Sequence, residues 1–218
     1  MNSTISRTIH ARIVGSAASL ALFGMMNTLT ANAGQQELAA SLGATRDEVV
    51  QTRDQLQATV DALAALEKQK SGDMRPTYDA FVAQIAKTET AATTTRARIA
   101  KMEGEAATHF GTWQKDVDGI SNPSLKDKAQ KRLSSVQKSY DKVVVQLKDA
   151  SSRFTPLLSD LGDIQKTLVN DLTPGGVKSV RSSVSDAQWN LKTARRAIYA
   201  AVEELTKMEK SLGTTAPQ

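Results

Sequence analysis

The chain has 218 residues, of which 28 are Lys or Arg and 23 are Asp or Glu, so its formal net charge is +5 at pH 7. It contains no cysteine, which excludes disulfides, thiolate metal sites and lipid attachment to a cysteine. Aromatic residues make up only 4% of the sequence, which is typical of a narrow bundle closed by small side chains and not of a compact globular core.

The first 33 residues predict a signal peptide. Arg7 and Arg12 form a basic start, residues 13–30 are mostly small and apolar, and Ala31-Asn32-Ala33 supplies the small residues that signal peptidase requires. We expect cleavage before Gly34, which places the protein in the periplasm or outside the cell. An uncleaved membrane anchor is the alternative, although polar residues dilute the run of about 20 apolar residues that a span needs.

The rest of the chain is predicted to be one domain. No shift in composition divides residues 34–212, and residues 213–218 are expected to form a disordered tail. Cleavage removes two arginines and no acid, which lowers the net charge to +3. Because the remaining charges are interspersed, binding to nucleic acid is not expected. No transmembrane helix is expected in the mature chain, and peripheral contact with a membrane stays open.

The first helix is predicted over residues 35–70. Its apolar residues alternate steps of three and four, which is the spacing of a coiled-coil seam. Three threonines lie in this seam and are expected to weaken it. Residues 71–76 end the helix, with a glycine stop and a proline suited to the next helix start. The seam consists of Leu38, Leu42, Thr45, Val49, Thr52, Leu56, Thr59, Leu63 and Leu66.

The second helix is predicted to follow and to end near Val117. Small and β-branched residues at 90–95 form either a close-packed waist or a soft spot, and we favour the waist because small residues let helices approach. The predicted seam residues are Tyr78, Phe81, Ile85, Thr88, Ala92, Thr95, Ile99, Met102, Ala106, Phe110, Trp113 and Val117.

The third helix is predicted to start at Pro123, with Asn122 as its N-cap, and to reach Leu172. Pro156 lies inside it and predicts a kink without a stop, because the seam resumes in phase. The predicted seam residues are Leu125, Ala129, Leu133, Val136, Tyr140, Val143, Leu147, Ala150, Phe154, Leu157, Leu161, Ile164 and Leu168.

The last helix follows the short turn at residues 173–176, which makes it the antiparallel neighbour of the third. The four long helices predict an all-α fold, an elongated antiparallel coiled-coil or four-helix bundle. Two hairpins splayed at one end are the alternative. The last seam consists of Val177, Val180, Val184, Ala187, Leu191, Ala194, Ile198, Ala201, Leu205, Met208 and Leu212.

Several marks along the chain resemble a bacterial family of exported coiled-coil proteins, a domain of unknown function. They are Leu42-Gly43-x-x-Arg46-Asp47, Phe110-x-x-Trp113, the stretch Ile120 to Leu125, Tyr140 and Phe154-x-Pro156-x-Leu158. The resemblance implies a helical bundle in the cell envelope and carries no activity. Many members of the family have a lipoprotein cysteine, and this chain lacks one.

Residues able to carry catalysis are scarce. Apart from His10 in the predicted signal, His109 is the only histidine, with Glu105 one helical turn before it. These two residues could supply only part of a metal site, so an ordinary contact between them is expected. Motifs for a serine nucleophile, a di-metal site or a phosphate-binding loop are absent from the sequence. We expect no enzyme, no cofactor and no metal.

Two groups of residues are candidates for binding. Phe110, Trp113 and Trp189 could contact a partner, although large aromatic residues in a bundle more often belong to its core. Trp189 lies off the main seam and is expected to cover a flank against another helix; if exposed, it becomes the better candidate. The densest basic stretch supplies candidate anion contacts at Lys126, Lys128, Lys131 and Arg132, and Lys192, Arg195 and Arg196 form a second cluster.

Two classes of function are compatible with these features. The preferred one is a non-enzymatic envelope scaffold, spacer or chaperone-like binder that contacts another envelope protein or a second copy of itself. The alternative is a module whose basic helix faces bind an anionic envelope polymer or lipid head groups. Ionic strength distinguishes them, because binding to a charged polymer weakens steeply with salt.

Overall fold

The computed structural model describes the backbone of residues 18–213 and the side chains of residues 33–213. This part of the chain is all-α and contains no strand. Most of the predicted signal peptide and residues 214–218 of the predicted tail lie outside the described side chains, so both stay predictions. The helices are α1 (Ala18–Lys68), α2 (Arg75–Asp118), α3 (Pro123–Asn170), α4 (Pro174–Ser179) and α5 (Arg181–Gly213).

Four long helices form a closed antiparallel bundle. Helix α1 packs against α2 and α5, and α3 packs against the same two helices, so the four form a ring. The side chains of α2 and α3 meet near both ends of the bundle: the Gln114 Nε2 atom lies 3.0 Å from the Gln130 Oε1 atom, and the Tyr78 hydroxyl donates to the Gln165 carbonyl at 3.1 Å. The hairpins therefore do not splay, and the predicted four-helix bundle is confirmed.

The core lies along the predicted seams and divides into two clusters. One cluster surrounds Leu42, Met102 and Leu205, and the other surrounds Leu63, Phe81 and Leu161. Every predicted seam residue of α1, α4 and α5 is buried, together with Val180 between the last two helices. Burial of these apolar side chains supplies the main driving force for folding. The seam residues of α2 and α3 are also buried except for Thr95, Ile99, Trp113 and Ala129, which are half-buried, and Leu125.

Leu125 corrects the predicted seam of α3, because 56% of its surface is exposed. Helix α5 ends at Gly213, and the neighbouring seam residue Leu212 belongs to the cluster that contains Leu133. Leu125 lies about two helical turns before Leu133. Leu125 therefore lies outside the core cluster, beyond the Leu133 end of the α3 seam.

Two of the three threonines of the α1 seam, Thr52 and Thr59, form polar contacts with α2 that the spacing did not predict. The Thr52 and Thr95 hydroxyls lie 2.7 Å apart, and the Thr59 and Thr88 hydroxyls also lie 2.7 Å apart. The Thr59 hydroxyl also lies 3.0 Å from the Gln84 carbonyl of α2. Such contacts require a close approach of the two backbones and satisfy polar groups that are buried in the interface. The two threonine pairs follow the antiparallel alignment of α1 and α2, because Thr52 meets Thr95 whereas the later Thr59 meets the earlier Thr88.

The predicted waist at residues 90–95 is close-packed only toward α1. The hydroxyls of Thr90, Thr93 and Thr94 are exposed and donate to carbonyls of their own helix. Toward α3 and α5 the small side chains leave a cavity of about 60 Å³, lined by Val49, Ala92, Ala150, Phe154 and Ile198 among others. The waist therefore combines a tight helix pair with a packing defect.

The helix boundaries show how local signals act. Asn122 caps α3, where its side chain accepts a hydrogen bond from the Leu125 amide, as predicted. The last predicted helix is in fact two helices, because a turn at Val180 separates α4 from α5. Gly176 lies so close to Asp171 that a Cβ atom would be 2.0 Å from the Asp171 carbonyl oxygen. Only glycine fits at this position.

Two further predictions concern helix interiors. Helix α3 continues through Pro156, so the prediction of no stop there is confirmed. Helix α1 begins at Ala18, whereas the prediction placed its start at residue 35, after the cleavage site. Gly34 lies within α1, because a single glycine lowers helix propensity without ending a helix.

Candidate binding surface

The outer face of α5 carries two exposed aromatic side chains. Trp189 is 65% exposed and Tyr199 is 48% exposed. Trp189 lies two residues after the fully buried Ala187, which turns it to the opposite side of the helix. The prediction that Trp189 covers a flank of the bundle is therefore wrong, and its exposure is the condition under which Trp189 becomes the better candidate for a partner contact.

Cationic side chains surround these aromatics. Lys192, Arg195 and Arg196 of α5 lie between Trp189 and Tyr199 in the sequence. Helix α1 contributes Arg53, whose guanidinium lies 5.2 Å from the centre of the Tyr199 ring. We call Arg53, Trp189, Lys192, Arg195, Arg196 and Tyr199 together the α5 surface.

Arg195 is held in place by its neighbours. Its Nη1 atom donates a hydrogen bond to Gln57 Oε1 of α1 at 2.9 Å, and its Nη2 atom lies 3.5 Å from the Tyr199 hydroxyl. Its guanidinium also lies 6.0 Å from the centre of the Tyr199 ring. The Tyr199 ring is thus flanked by two guanidinium groups, an arrangement that cation–π attraction favours.

The α5 surface has a positive local potential. The hydrogen bond from Arg195 lowers the pKa of the Tyr199 phenol, and the charges of Arg53 and Arg195 lower it further. A phenol loses its proton more readily where positive charge stabilises the phenolate. The same field stabilises the anionic oxygen of a phosphate or carboxylate.

Two of the cations have no partner within the protein. In the described part of the chain, neither Lys192 nor Arg196 forms a hydrogen bond or an ion pair. Arg53 pairs with Asp54 at 2.7 Å, and the nearby Asp61 accepts a hydrogen bond from Gln57 at 2.8 Å. Four cations therefore face two carboxylates, which leaves a positive excess on this part of the surface.

A groove between α1 and α5 passes along the α5 surface. Its volume is about 440 Å³, and its floor includes the apolar residues Val60, Ala64 and Leu191. Lys192, Arg195, Arg196 and Tyr199 line its rim on the α5 side. An apolar floor with cations along the rim suits a ligand that has both an apolar and an anionic part.

The other predicted contact residues are dispersed. Phe110 is buried in the core, where its ring meets the Tyr140 ring edge-on with centroids 5.5 Å apart, and Trp113 packs half-buried against the same cluster. Lys126 donates to the Asp118 carbonyl at 2.9 Å at the end of α2, and Lys131 pairs with Asp127 at 2.8 Å. Of the four predicted anion contacts, Lys126 and Lys131 are thus engaged within the protein, and Lys128 and Arg132 are exposed on α3.

His109 lies in a second groove, between α1 and α2, with a volume of about 720 Å³. Its ring packs so closely on Gly34 that a Cβ atom there would lie 2.9 Å from Nδ1. Nε2 is buried and has no hydrogen-bond partner among the described residues. Burial lowers the pKa of His109, and the charge of Glu37 opposes this shift.

Glu105 does not pair with His109 as expected. Its carboxylate accepts a hydrogen bond from the Ser41 hydroxyl of α1 and lies 3.8 Å from the Lys101 ammonium. The prediction was based on spacing along α2 alone, whereas Glu105 turns to Ser41 of α1 and to Lys101, one helical turn before it. Between residues 33 and 213 the structure shows no group of three or more His, Cys, Asp or Glu residues that could hold a metal.

The comparison with protein families identifies the family of this chain. The sequence model of a family described as protein of unknown function, DUF2959, matches residues 23–212. The chain belongs to this family. The match confirms the resemblance to a domain-of-unknown-function family, which was based on marks from Met74 to Leu212 and a further mark at residues 42–47. No curated protein matches the chain.

For this DUF2959 member, sequence reasoning found only part of the candidate surface. Trp189 and the cluster at 192–196 were noted separately, and Arg53 and Tyr199 were missed. The step of three and four residues from Trp189 through Lys192 and Arg196 to Tyr199 is a signal that could have joined them on one face. Arg53 could not have been found in this way, because it comes from α1.

Among the described residues, no helix combines the length and the apolar character that a membrane span requires.

Proposed function

We propose that the protein is a non-enzymatic helical scaffold of the cell envelope that docks onto another envelope component through the α5 surface. The observation that carries this proposal is the exposure of Trp189 beside two unpaired cations, on a bundle whose own core is complete without it. Exposed tryptophan and arginine side chains are the residue types that most often anchor a partner.

The envelope location is based on the first 33 residues of the sequence. Their basic start, apolar stretch and Ala31-Asn32-Ala33 site support export, and cleavage leaves a mature protein that begins at Gly34 in the periplasm or in the medium. Residues 34–212 form the single domain of the mature protein. Its elongated bundle supports a spacer or scaffold role.

The absence of catalysis is part of the proposal. Catalytic sites bring a nucleophile, a base and a stabilising group within hydrogen-bond reach of one another. Here the buried Nε2 of His109 has no such partner among the described residues, and Glu105 is engaged by Ser41. The α5 surface consists of cations and aromatics, which bind anions and apolar groups and do not by themselves supply a base.

Charge decides which envelope component fits the α5 surface better. The excess of cations favours an anionic component, such as a polymer or lipid head groups, over a neutral protein surface. Contact with another envelope protein or with a second copy of the chain is the alternative, and it predicts binding that changes little with ionic strength.

Cross-linking in living cells tests the docking role. A photoreactive residue in place of Trp189 is compared with one in place of Lys138, an exposed residue on the outer face of α3. Further probes at Ile120 and Gly175 report on the two ends of the bundle. We expect one recurrent envelope component to be captured from position 189 and not from position 138. Equal capture from both positions would contradict docking through the α5 surface.

A further inference from the structure

We propose that the α5 surface docks onto the phosphate head groups of an anionic phospholipid membrane, with Trp189 and Tyr199 seated at the membrane interface. This proposal rests on the docking role proposed above and names the component that is bound. It requires one continuous face, free cations and aromatic anchors, and each requirement is met by described residues.

The face is continuous because of its spacing. Trp189, Lys192, Arg196 and Tyr199 follow one another at steps of three, four and three residues, so they lie in one row on α5. The row covers about 15 Å at 1.5 Å per residue. Helix α5 has 33 residues, so this row is part of a rod that can lie parallel to a membrane plane.

The cations are available for phosphate. Lys192 and Arg196 have no partner in the part of the chain that the structure describes, and both have long flexible side chains that can reach past the aromatic rings. Arg195 is oriented by Gln57 and Tyr199, so it adds a preorganised guanidinium at the edge of the row. The hydrogen bond from Arg195 and the charges of Arg53 and Arg195 lower the pKa of the Tyr199 phenol, which reports a positive potential at the Tyr199 end of the row.

Most acidic groups around the row have partners of their own, whereas the exposed Asp186, one helical turn before Trp189, has none among the described residues. Asp54 pairs with Arg53, and Asp61 accepts from Gln57. Further along α5, Glu203 pairs with Lys207 at 2.7 Å. These carboxylates reduce the positive potential without reversing it, which predicts a membrane contact that is reversible and sensitive to salt.

The pattern fits a membrane better than a protein partner. The centre of a protein interface is depleted in lysine although arginine is enriched there, and here Lys192 lies between the two aromatics without a partner among the described residues. Tryptophan and tyrosine are enriched where hydrocarbon meets head groups, because one part of each ring is apolar and the other is polar. Cations beside them reach the phosphate layer.

Vesicle binding tests the proposal directly. The protein, as processed by cells, is sedimented with vesicles of phosphatidylcholine alone and with vesicles that contain equal amounts of phosphatidylcholine and phosphatidylglycerol. We expect binding to the anionic vesicles, weak binding to the neutral ones, and loss of binding as salt is raised. Equal binding to both vesicle types would overturn the proposal.

A pair of charge variants locates the contact. The double variant Lys192→Gln/Arg196→Gln is compared with Lys138→Gln/Lys142→Gln, which removes the same charge from exposed positions of α3. Each lysine or arginine near an anionic membrane surface contributes a similar small share of the binding free energy, so the loss of two cations should weaken the vesicle affinity of the first variant by about 30-fold. The second variant should bind like the parent. If both variants lose affinity equally, the charge acts without a defined site and the proposal fails.

Fluorescence places the aromatic anchor. The sequence has two tryptophans, so Trp113→Phe leaves Trp189 as the single reporter. We expect a blue shift and protection from an aqueous quencher when anionic vesicles are added. Circular dichroism verifies that this variant folds. The sedimentation assay uses the parent protein, so its result does not depend on the substitution. Unchanged Trp189 emission in a vesicle-bound protein would overturn the proposed orientation.

Two further outcomes separate this proposal from its alternatives. If soluble glycerol 3-phosphate changes the Trp189 emission while the protein fails to sediment with vesicles, the surface binds a free phosphate and the membrane proposal is wrong. If vesicles fail but a probe at position 189 captures one envelope protein in cells, the docking role stands and only the lipid assignment fails. If neither binding nor capture occurs, the docking role also fails.

Discussion

The hydroxyl oxygens of Thr59 in α1 and Thr88 in α2 lie 2.7 Å apart, and both side chains are completely buried. Each threonine also approaches a backbone carbonyl of the other helix: Thr59 approaches that of Gln84 and Thr88 that of Gln55. The α1–α2 interface is therefore joined by polar contacts at its centre, where a leucine seam would hold the helices further apart.

Removing both hydroxyls of this pair should cost less than the sum of removing each one alone. Thr59→Val leaves the buried Thr88 hydroxyl with fewer partners and should lower the free energy of unfolding by about 1 kcal/mol. The double variant Thr59→Val/Thr88→Val leaves no hydroxyl without its partner and should be less destabilised than the sum of the single variants. Urea unfolding of the parent and the three variants measures this coupling. Strictly additive losses would show that the two hydroxyls do not interact.

Filling the cavity at the waist should stabilise the bundle. Val49 lines the cavity, so Val49→Ile adds a methyl group where there is empty space and should raise the free energy of unfolding by about 0.5–1 kcal/mol. Val143 is fully buried and does not line the cavity, so Val143→Ile should lower the free energy of unfolding by about 1 kcal/mol, because the added methyl group overpacks the core. Chemical denaturation measures both variants. The same sign of change for both would argue against the cavity.

The stability of the protein should fall as the pH drops below 6.5, in part through His109. Burial lowers the pKa of His109 in the folded state from its ordinary value of 6.5, so the unfolded chain takes up the proton first. Stability is therefore unaffected above the unfolded pKa and is lost from 6.5 downward until the folded histidine also binds a proton.

The variant His109→Gln isolates this contribution because its side chain does not titrate. The loss of unfolding free energy between pH 7 and pH 5 should be smaller in the variant, since the carboxylates are common to both proteins. Nuclear magnetic resonance titration of the His109 ring gives the folded pKa directly. A measured pKa above 6.5 would reverse the predicted sign.

A charge in the α5 seam should unfold much of the bundle. Ile198 is buried, so Ile198→Asp places an unpaired carboxylate in the core and should cost more than about 3 kcal/mol. Lys138 is exposed, and Lys138→Asp should change stability by no more than about 0.5 kcal/mol. Thermal melting followed by circular dichroism compares the two variants. Equal stability would contradict the assignment of the seam.

The sequence by itself determined the bundle. Apolar residues at steps of three and four define one buried face per helix, and glycine and proline mark where the chain reverses, so the four seams and the Asn122 cap followed from local pattern. The family match over residues 23–212 includes the short motifs on which the resemblance to a domain-of-unknown-function family was based. The turn at Val180 was not predicted, because the apolar spacing continues through it.

Only the tertiary structure decided which surfaces are free and which polar groups meet. Spacing along one helix cannot show that Leu125 is exposed, that Glu105 bonds to Ser41, or that the α1 threonines face those of α2. The α5 surface likewise depends on two helices, because Arg53 reaches Tyr199 across the α1–α5 groove. Periodicity reports the burial of each helix separately, whereas contacts between helices depend on how the chain aligns residues that are far apart in sequence.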